Sequence, residues 1–355
     1  VAPSTDKFSD SVCILNSTDK SGKFVCMKSP AIPPAVQTLF AELLQQVATA
    51  PRAGSVYRRT LDGIEYLYAK VPVGAGRIDQ FIGKAGDPKA ENRAAAMQTG
   101  MELAAHRRRL VSMLRGQRLA GPDRILGATL DALAHAGLFD GGAVLVGTVA
   151  YLLSETLVGS RLPSPTLMTG DLDLATASLA LTAEPPERLE TILKRADPTF
   201  EAVLQLDPQA RPSRFRNAYG YLVDLVTPTR TRDDANPMPL DRLEAGAAPL
   251  QHLAWLIADP VRTAALWGAG VPVNVPQPAR FAVHKLILAQ RRDASSRVKR
   301  AKDLAQAKAL IDVLAQNDPF ALEDALGDAK AQGIKGWRVP IERSLKEMGL
   351  DGFTT

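Results

Sequence analysis

Two short stretches carry residues whose types and spacing could do chemistry together. In the first, the apolar run Ala143 to Val146 ends on Gly147-Thr148 and leads into an apolar segment with helical character that reaches Leu157. A strand that breaks at Gly-Thr and opens a helix leaves backbone N–H groups unpaired at the helix start, where they can cradle an anionic phosphate. Gly147 lets that phosphate come close. In the second stretch Asp171 and Asp173 alternate with Leu172 and Leu174. A period of two puts the carboxylates on one face and the leucines in a core. Their mutual repulsion is unfavourable unless a divalent cation sits between them, and Mg²⁺ prefers such oxygens together with substrate phosphates.

The pair of motifs, GTVAY followed by TGDLDLA, resembles the active-site signature of the DNA polymerase β-type nucleotidyltransferase superfamily. Within it the chain looks most similar to a bacterial nucleotidyltransferase-fold group distantly similar to abortive-infection toxin nucleotidyltransferases. The resemblance implies an NTP as substrate, transfer of a nucleoside monophosphate with loss of pyrophosphate, and Mg²⁺ or Mn²⁺ as cofactor. It implies that Asp171 and Asp173 hold metal and that Gly147 and Thr148 position phosphates. It also implies a third carboxylate on a neighbouring strand. Asp224, between Val223 and Leu225 in an apolar run, fits that place, where an unpaired acid would be expensive. A segment Pro278, Phe281, Ala282, His284, Lys285, Leu286, followed by Lys302, Asp303 and Leu304, recurs in the wider group. Lys285 suits a phosphate as a compact cation, and Lys299 and Lys302, three apart, share a helical face.

The elements around these motifs read as an α+β chain: a small mixed-sheet core flanked by an N-terminal helix and hairpin region and a C-terminal helical region. Residues 1–30 are a polar extension, 31–137 the N-terminal region, 138–230 the nucleotidyltransferase core, and 231–355 a helical domain. Val36, Leu39, Phe40, Leu43, Leu44 and Val47 form a helical stripe. Asp62-Gly63 and Gly74-Ala75-Gly76 break β-prone runs between Ser55 and Ile82, which predicts a small antiparallel sheet. Lys89 to Leu119 predicts a long helix in which Arg107, Arg108 and Arg109 make a basic collar, and Ile125 to Ala136 a second helix closed by Gly137. Gly159 to Met168 reads as an inserted turn, Pro185-Pro186 as the opening of a helix over Glu187 to Arg195, and Thr229 to Asp241 as a polar, Pro-rich loop.

Composition narrows the function less. At 355 residues the chain can form two or three cores, and its 46% hydrophobic and 23% charged residues are ordinary. There is no apolar run of membrane-spanning length and no secretory pattern at residues 1–10, so a cytoplasmic protein is expected. Cys13 and Cys26 have no metal-ligand spacing and read as free thiols. The net charge of +5 suits a polyanion such as RNA (tRNA included) and equally suits NTP alone. Aromatics at 5% argue against a single-strand binder built on stacking platforms. The acceptor stays open between RNA, a protein side chain and a small molecule, as does the oligomeric state. The competing expectation is a nucleotide- or nucleic-acid-binding regulator that keeps the fold without turnover.

Overall fold

The computed structural model describes residues 29–163, 170–177, 187–205, 207, 210–229 and 236–353. Most of the polar extension with both cysteines, the later part of the expected inserted turn, and Pro185-Pro186 lie outside them.

The N-terminal region is α1 (Pro34–Thr49), a meander of β1 (Ser55–Leu61), β2 (Ile64–Val73) and β3 (Gly76–Lys84), and the long α2 (Pro88–Gly116). Both turns follow from local rules. Asp62 and Gly63 take positive φ, as a two-residue hairpin requires, and Gly74 does the same in the next turn. The inner face of the meander buries Leu67, Ala69, Val71, Val73 and Ile82 against Ala90, Ala94 and Met97 of α2. Asp87 caps α2 by accepting from the Lys89 N–H at 3.1 Å. Arg107, expected in an exposed collar, is instead buried, and its Nε donates to the Ala269 carbonyl at 3.1 Å. The 3.6-residue repeat that spreads consecutive arginines round a helix must turn one of them inward.

The core follows: α3 (Arg124–His135), β4 (Val144–Val146), α4 (Gly147–Leu157), β5 (Asp171–Ala175), α5 (Leu189–Lys194), β6 (Glu201–Ala202), β7 (Arg214–Arg216), β8 (Leu222–Pro228), β9 (Met238–Leu240) and β10 (Ala245–Leu250). Among the described residues the strands form one mixed sheet ordered β4-β5-β8-β10-β9, with β7 also alongside β8 and β6 alongside β7. β5 and β8 are parallel and β4 runs antiparallel to β5. The sheet therefore continues past residue 230, through the antiparallel pair of β9 and β10. Part of the stretch expected as a Pro-rich loop is thus a strand. Leu172, Leu174, Val223 and Leu225 are almost fully buried, as the alternation required.

Beyond the sheet lie α6 (Leu253–Leu256), the hairpin β11 (Val261–Ala265) and β12 (Val271–Val275), and helices α7 (Pro278–Arg291), α8 (Arg297–Asn317), α9 (Pro319–Ala331) and α10 (Val339–Glu347). Asn274 of β12 donates to the carbonyls of Phe139 and Ala143 at 2.7 and 2.9 Å, which fastens the hairpin to the lead into β4. α7 is buried along most of its length, so it acts as the central post between sheet and outer helices. Trp337 packs as expected, edge-on to Trp255 at 5.6 Å. Among the described residues no helix is long and apolar enough to cross a membrane.

One half-buried acid joins the meander to the core. Asp131 of α3 accepts the Gly74 N–H at 2.7 Å, and burial pushes its pKa up to about 6. The folded state thus disfavours the charged carboxylate. Stability should fall as pH rises from about 4 to about 6 and stay lowered above that, since only the unfolded chain ionises freely in this window. Asp131→Asn, whose amide oxygen can still accept from Gly74, should raise stability at pH 8 by on the order of 1–3 kcal/mol and flatten this dependence. Calorimetric melting at pH 5 and pH 8 measures it; an Asn variant less stable at pH 8 would exclude the assignment.

Candidate active site

The sheet brings the expected acids into register. Asp173 of β5 stands directly beside Asp224 of β8, and Asp171 is one pleat earlier on the same strand, beside Leu222. In a parallel pair, in-register residues project to the same face. Asp173, Asp224 and Asp171 therefore share one side of the sheet while their leucine and valine neighbours fill the core.

Gly147 stands against this cluster. Val146 of β4 is in register with Asp173, and the chain turns at Gly147 with φ of +67° to start α4. A Cβ on residue 147 would overlap the Asp173 Oδ2. Glycine is required here twice, by its backbone conformation and by the approach of a carboxylate. Val146 at the start of α4 offers no capping side chain, so among the described residues the first N–H groups of this helix remain available to an anion. Thr148 is buried in this first turn.

Cations come from two directions. From β7, Arg214 grips Asp224 bidentately, Nε to Oδ1 at 2.6 Å and Nη2 to Oδ2 at 2.7 Å. These hydrogen bonds hold the guanidinium more firmly protonated, with Asp171 and Asp173 adding to the effect. From the helical side, α4 packs Tyr151 against Phe281 of α7, ring centres 6.3 Å apart, and this contact places Lys285 one turn along α7. Lys285 Nζ donates to Asp303 Oδ1 at 2.7 Å, while Arg292 Nε reaches Asp303 Oδ2 at 3.0 Å. Both Lys285 and Asp303 are buried.

The electrostatics tie these groups into one site. Burial raises the pKa of Asp173, Asp224 and Asp171 raise it further, and Lys285 and Lys302 oppose them. Burial lowers Lys302, with Lys285 adding, against the pull of Asp303, Asp171 and Asp173. Tyr221 lies under the same influence; burial raises its pKa above the usual range, and its hydroxyl has no hydrogen-bond partner among the described residues. Lys285 and Lys302 thus act on the carboxylates through their charge, whereas Lys299, one turn earlier on α8, is exposed. His284 is buried, its Nε2 lacks a partner among the described residues, and burial lowers its pKa to about 3. It is a neutral packing residue.

Sequence reasoning missed Arg214 and the role of Asp303. Arg214 sits in an exposed-looking Arg-Phe-Arg run, and only the antiparallel register of β7 on β8 places it beside Asp224. Asp303 was visible as part of Lys-Asp-Leu, but not as the tether of Lys285. The oxygen-only donor set of Asp171, Asp173 and Asp224 suits a hard divalent cation. Among the described residues, however, no three acidic, histidine or cysteine side chains converge as a finished metal cage, and Arg214 already engages both oxygens of Asp224. Asp171 and Asp173 have the oxygen chemistry that such a cation takes, whereas both oxygens of Asp224 are engaged by Arg214.

Replacing Gly147 by Ala adds left-handed strain of about 1–2 kcal/mol and drives a methyl into the Asp173 carboxylate. Gly147→Ala should lower the melting temperature and, more strongly, the affinity for NTP. Thermal unfolding with calorimetric NTP titration measures both, and an unchanged affinity would remove Gly147 from the site.

Residues 124–331 match a protein family described as nucleotidyltransferase. The matched span begins with α3 and ends with α9, so it takes in the whole sheet, the hairpin and the helices that carry Lys285 and Lys302. No curated protein matches the chain. Because the match covers more than half of the sequence and contains the Gly-Thr turn, the Asp-x-Asp strand and Asp224, the chain belongs to this nucleotidyltransferase family and is a nucleotidyltransferase.

Proposed function

We propose that this enzyme is metal-dependent and transfers a nucleoside monophosphate from an NTP to an acceptor hydroxyl through Asp171, Asp173 and Asp224. One observation carries the reading: Asp173 and Asp224 lie in register on adjacent parallel strands with the Cα of Gly147 against the Asp173 carboxylate. Three acids on one face beside an uncapped helix N-terminus are costly as a structural feature and useful as a triphosphate site.

Each group then has a task. The N–H groups of the first turn of α4 at Gly147 and Thr148 receive the terminal phosphates. Lys285, oriented by Asp303, and Lys302 lend positive charge to the same triphosphate, with Lys299 at the outer edge. Asp171 and Asp173 would hold Mg²⁺ or Mn²⁺, joined by Asp224. When bound, such ions neutralise charge on the phosphates and polarise the reacting oxygens. The acceptor oxygen forms a bond to the α-phosphorus while the bond to the bridging β-phosphate oxygen breaks, and pyrophosphate leaves. The hydroxyl proton passes to Asp224 once Arg214 has released it. Arg214 then stands beside the phosphates as a planar cation suited to their oxygens. The protein contributes alignment and charge in a partly dry site.

Incubation with each α-labelled NTP, a divalent metal and a cell extract tests the reading, the label moving to RNA, to protein or to a small molecule according to the acceptor. Asp173→Asn should lower transfer by about 10²-fold or more. Asp224→Asn should lose transfer while keeping NTP affinity within a few-fold, because the triphosphate is gripped mainly at Gly147, Thr148 and Asp171. Label transfer that persists in Asp224→Asn would overturn the role given to that residue.

A further inference from the structure

The meander β1-β2-β3 has a second face that the core does not use. β1 and β2 pair in the register Tyr57 with Tyr68 and Ser55 with Lys70. β2 and β3 pair Tyr68 with Phe81, Lys70 with Asp79, and Tyr66 with Lys84. Strand alternation therefore sends Tyr57, Tyr66, Tyr68 and Phe81 to the side away from α2. Their rings form a continuous strip across all three strands. Tyr57 and Tyr68 stack at 5.8 Å, Phe81 meets Tyr68 edge-on at 5.4 Å, and Tyr66 lies 5.9 Å from Phe81. Phe81 is 57% exposed. An exposed phenylalanine at the centre of three tyrosines is a surface that folding alone does not explain.

The same face is cationic. Arg59, Lys70, Arg77 and Lys84 project from it, against the single acid Asp79. Lys70 Nζ lies 5.7 Å from the centre of the Tyr57 ring, which fixes a positive charge next to a stacking surface. Tyr57, Arg59, Lys70, Asp79 and Ser55 together line a shallow depression. A strip of rings bordered by cations is what single-stranded nucleic acid requires, since bases stack on π-faces while the backbone follows positive charge. Asp79 breaks the pattern for a phosphate but not for a sugar. A carboxylate accepts a hydrogen bond from a ribose 2′-hydroxyl, which deoxyribose lacks.

We propose that the outer face of β1-β2-β3 binds single-stranded RNA, with bases on Tyr57, Tyr68 and Phe81, phosphates beside Arg59 and Lys70, and a 2′-hydroxyl at Asp79. The surface lies outside the family span of residues 124–331, and the inference does not depend on the proposed transfer reaction. The low aromatic content of the whole chain weighs against a stacking platform only when averaged, for four rings are gathered here on one small sheet. The Gly74 N–H to Asp131 bond and the Ala75 N–H to Arg195 carbonyl bond at 3.0 Å fix the turn of this sheet to the transferase core, so RNA bound on it is held in place relative to that core.

Fluorescence anisotropy of the full chain with a labelled single-stranded oligoribonucleotide of about ten nucleotides tests this. Phe81→Ala should weaken binding about tenfold or more, and Phe81→Tyr should retain it. Lys70→Met should flatten the dependence of log affinity on log salt by roughly 0.7. The deoxy strand of the same sequence should bind more weakly, and Asp79→Ala should narrow that difference. Lys70, Asp79 and Phe81 are all exposed, so these substitutions leave the core untouched, and circular dichroism with NTP titration should show the fold and the nucleotide site intact. Full RNA affinity in Phe81→Ala and Lys70→Met would overturn the proposal, and equal affinity for the deoxy strand would overturn the choice of RNA. Either result would leave the transferase reading standing, since NTP binding is measured separately.

Discussion

Repulsion between Asp173 and Asp224 organises the catalytic half of this protein. Side by side on parallel strands, two carboxylates on a partly dry face of a sheet would lose free energy unless positive charge meets them. Arg214 supplies it from the neighbouring strand, and Lys285 and Lys302 from the helices. Two of these cations are themselves anchored: Arg214 by its ion pair across the β7–β8 pairing, and Lys285 by a buried ion pair with Asp303. The balance explains why the short strand β7, between β6 and β8, carries an arginine at this register.

A balance of this kind is also a description of readiness. The guanidinium satisfies Asp224 with two hydrogen bonds. On the proposed reading, a divalent ion carrying a triphosphate would offer more charge to the same oxygens and would give the guanidinium new acceptors. Asp303 does the complementary work for Lys285, taking the entropy out of a flexible side chain before substrate arrives. Burial of that pair is expensive by itself, which is a reason to regard it as serving position rather than stability.

The fold joins two surfaces with different logic. The transferase core uses strand register to concentrate negative charge and helices to surround it with positive charge. The meander uses the same alternation to place aliphatic side chains inward and rings outward. Asp131, half-buried where these two parts meet, ties the turn at Gly74 to α3. Its raised pKa records that the joint is made at some expense.

Much of this was legible from residues near one another in the chain. Gly147-Thr148 after an apolar run, Asp171 and Asp173 in alternation with leucines, and the two hairpin turns of the meander depend on local backbone preferences and on periods of two or 3.6. Such rules operate without knowledge of distant partners. The place of Asp224 was legible only through resemblance, and the strand register now sets it beside Asp173. Other features have no local signature. Arg214 against Asp224, Asp303 against Lys285, the inward turn of Arg107 and the continuation of the sheet through β9 and β10 each depend on which segments pack together. The aromatic strip lies between the two cases. Tyr57, Tyr66 and Tyr68 alternate in the sequence, but the side they face is decided by where α2 covers the sheet, because burial of the aliphatic face is a long-range event that no single strand can specify.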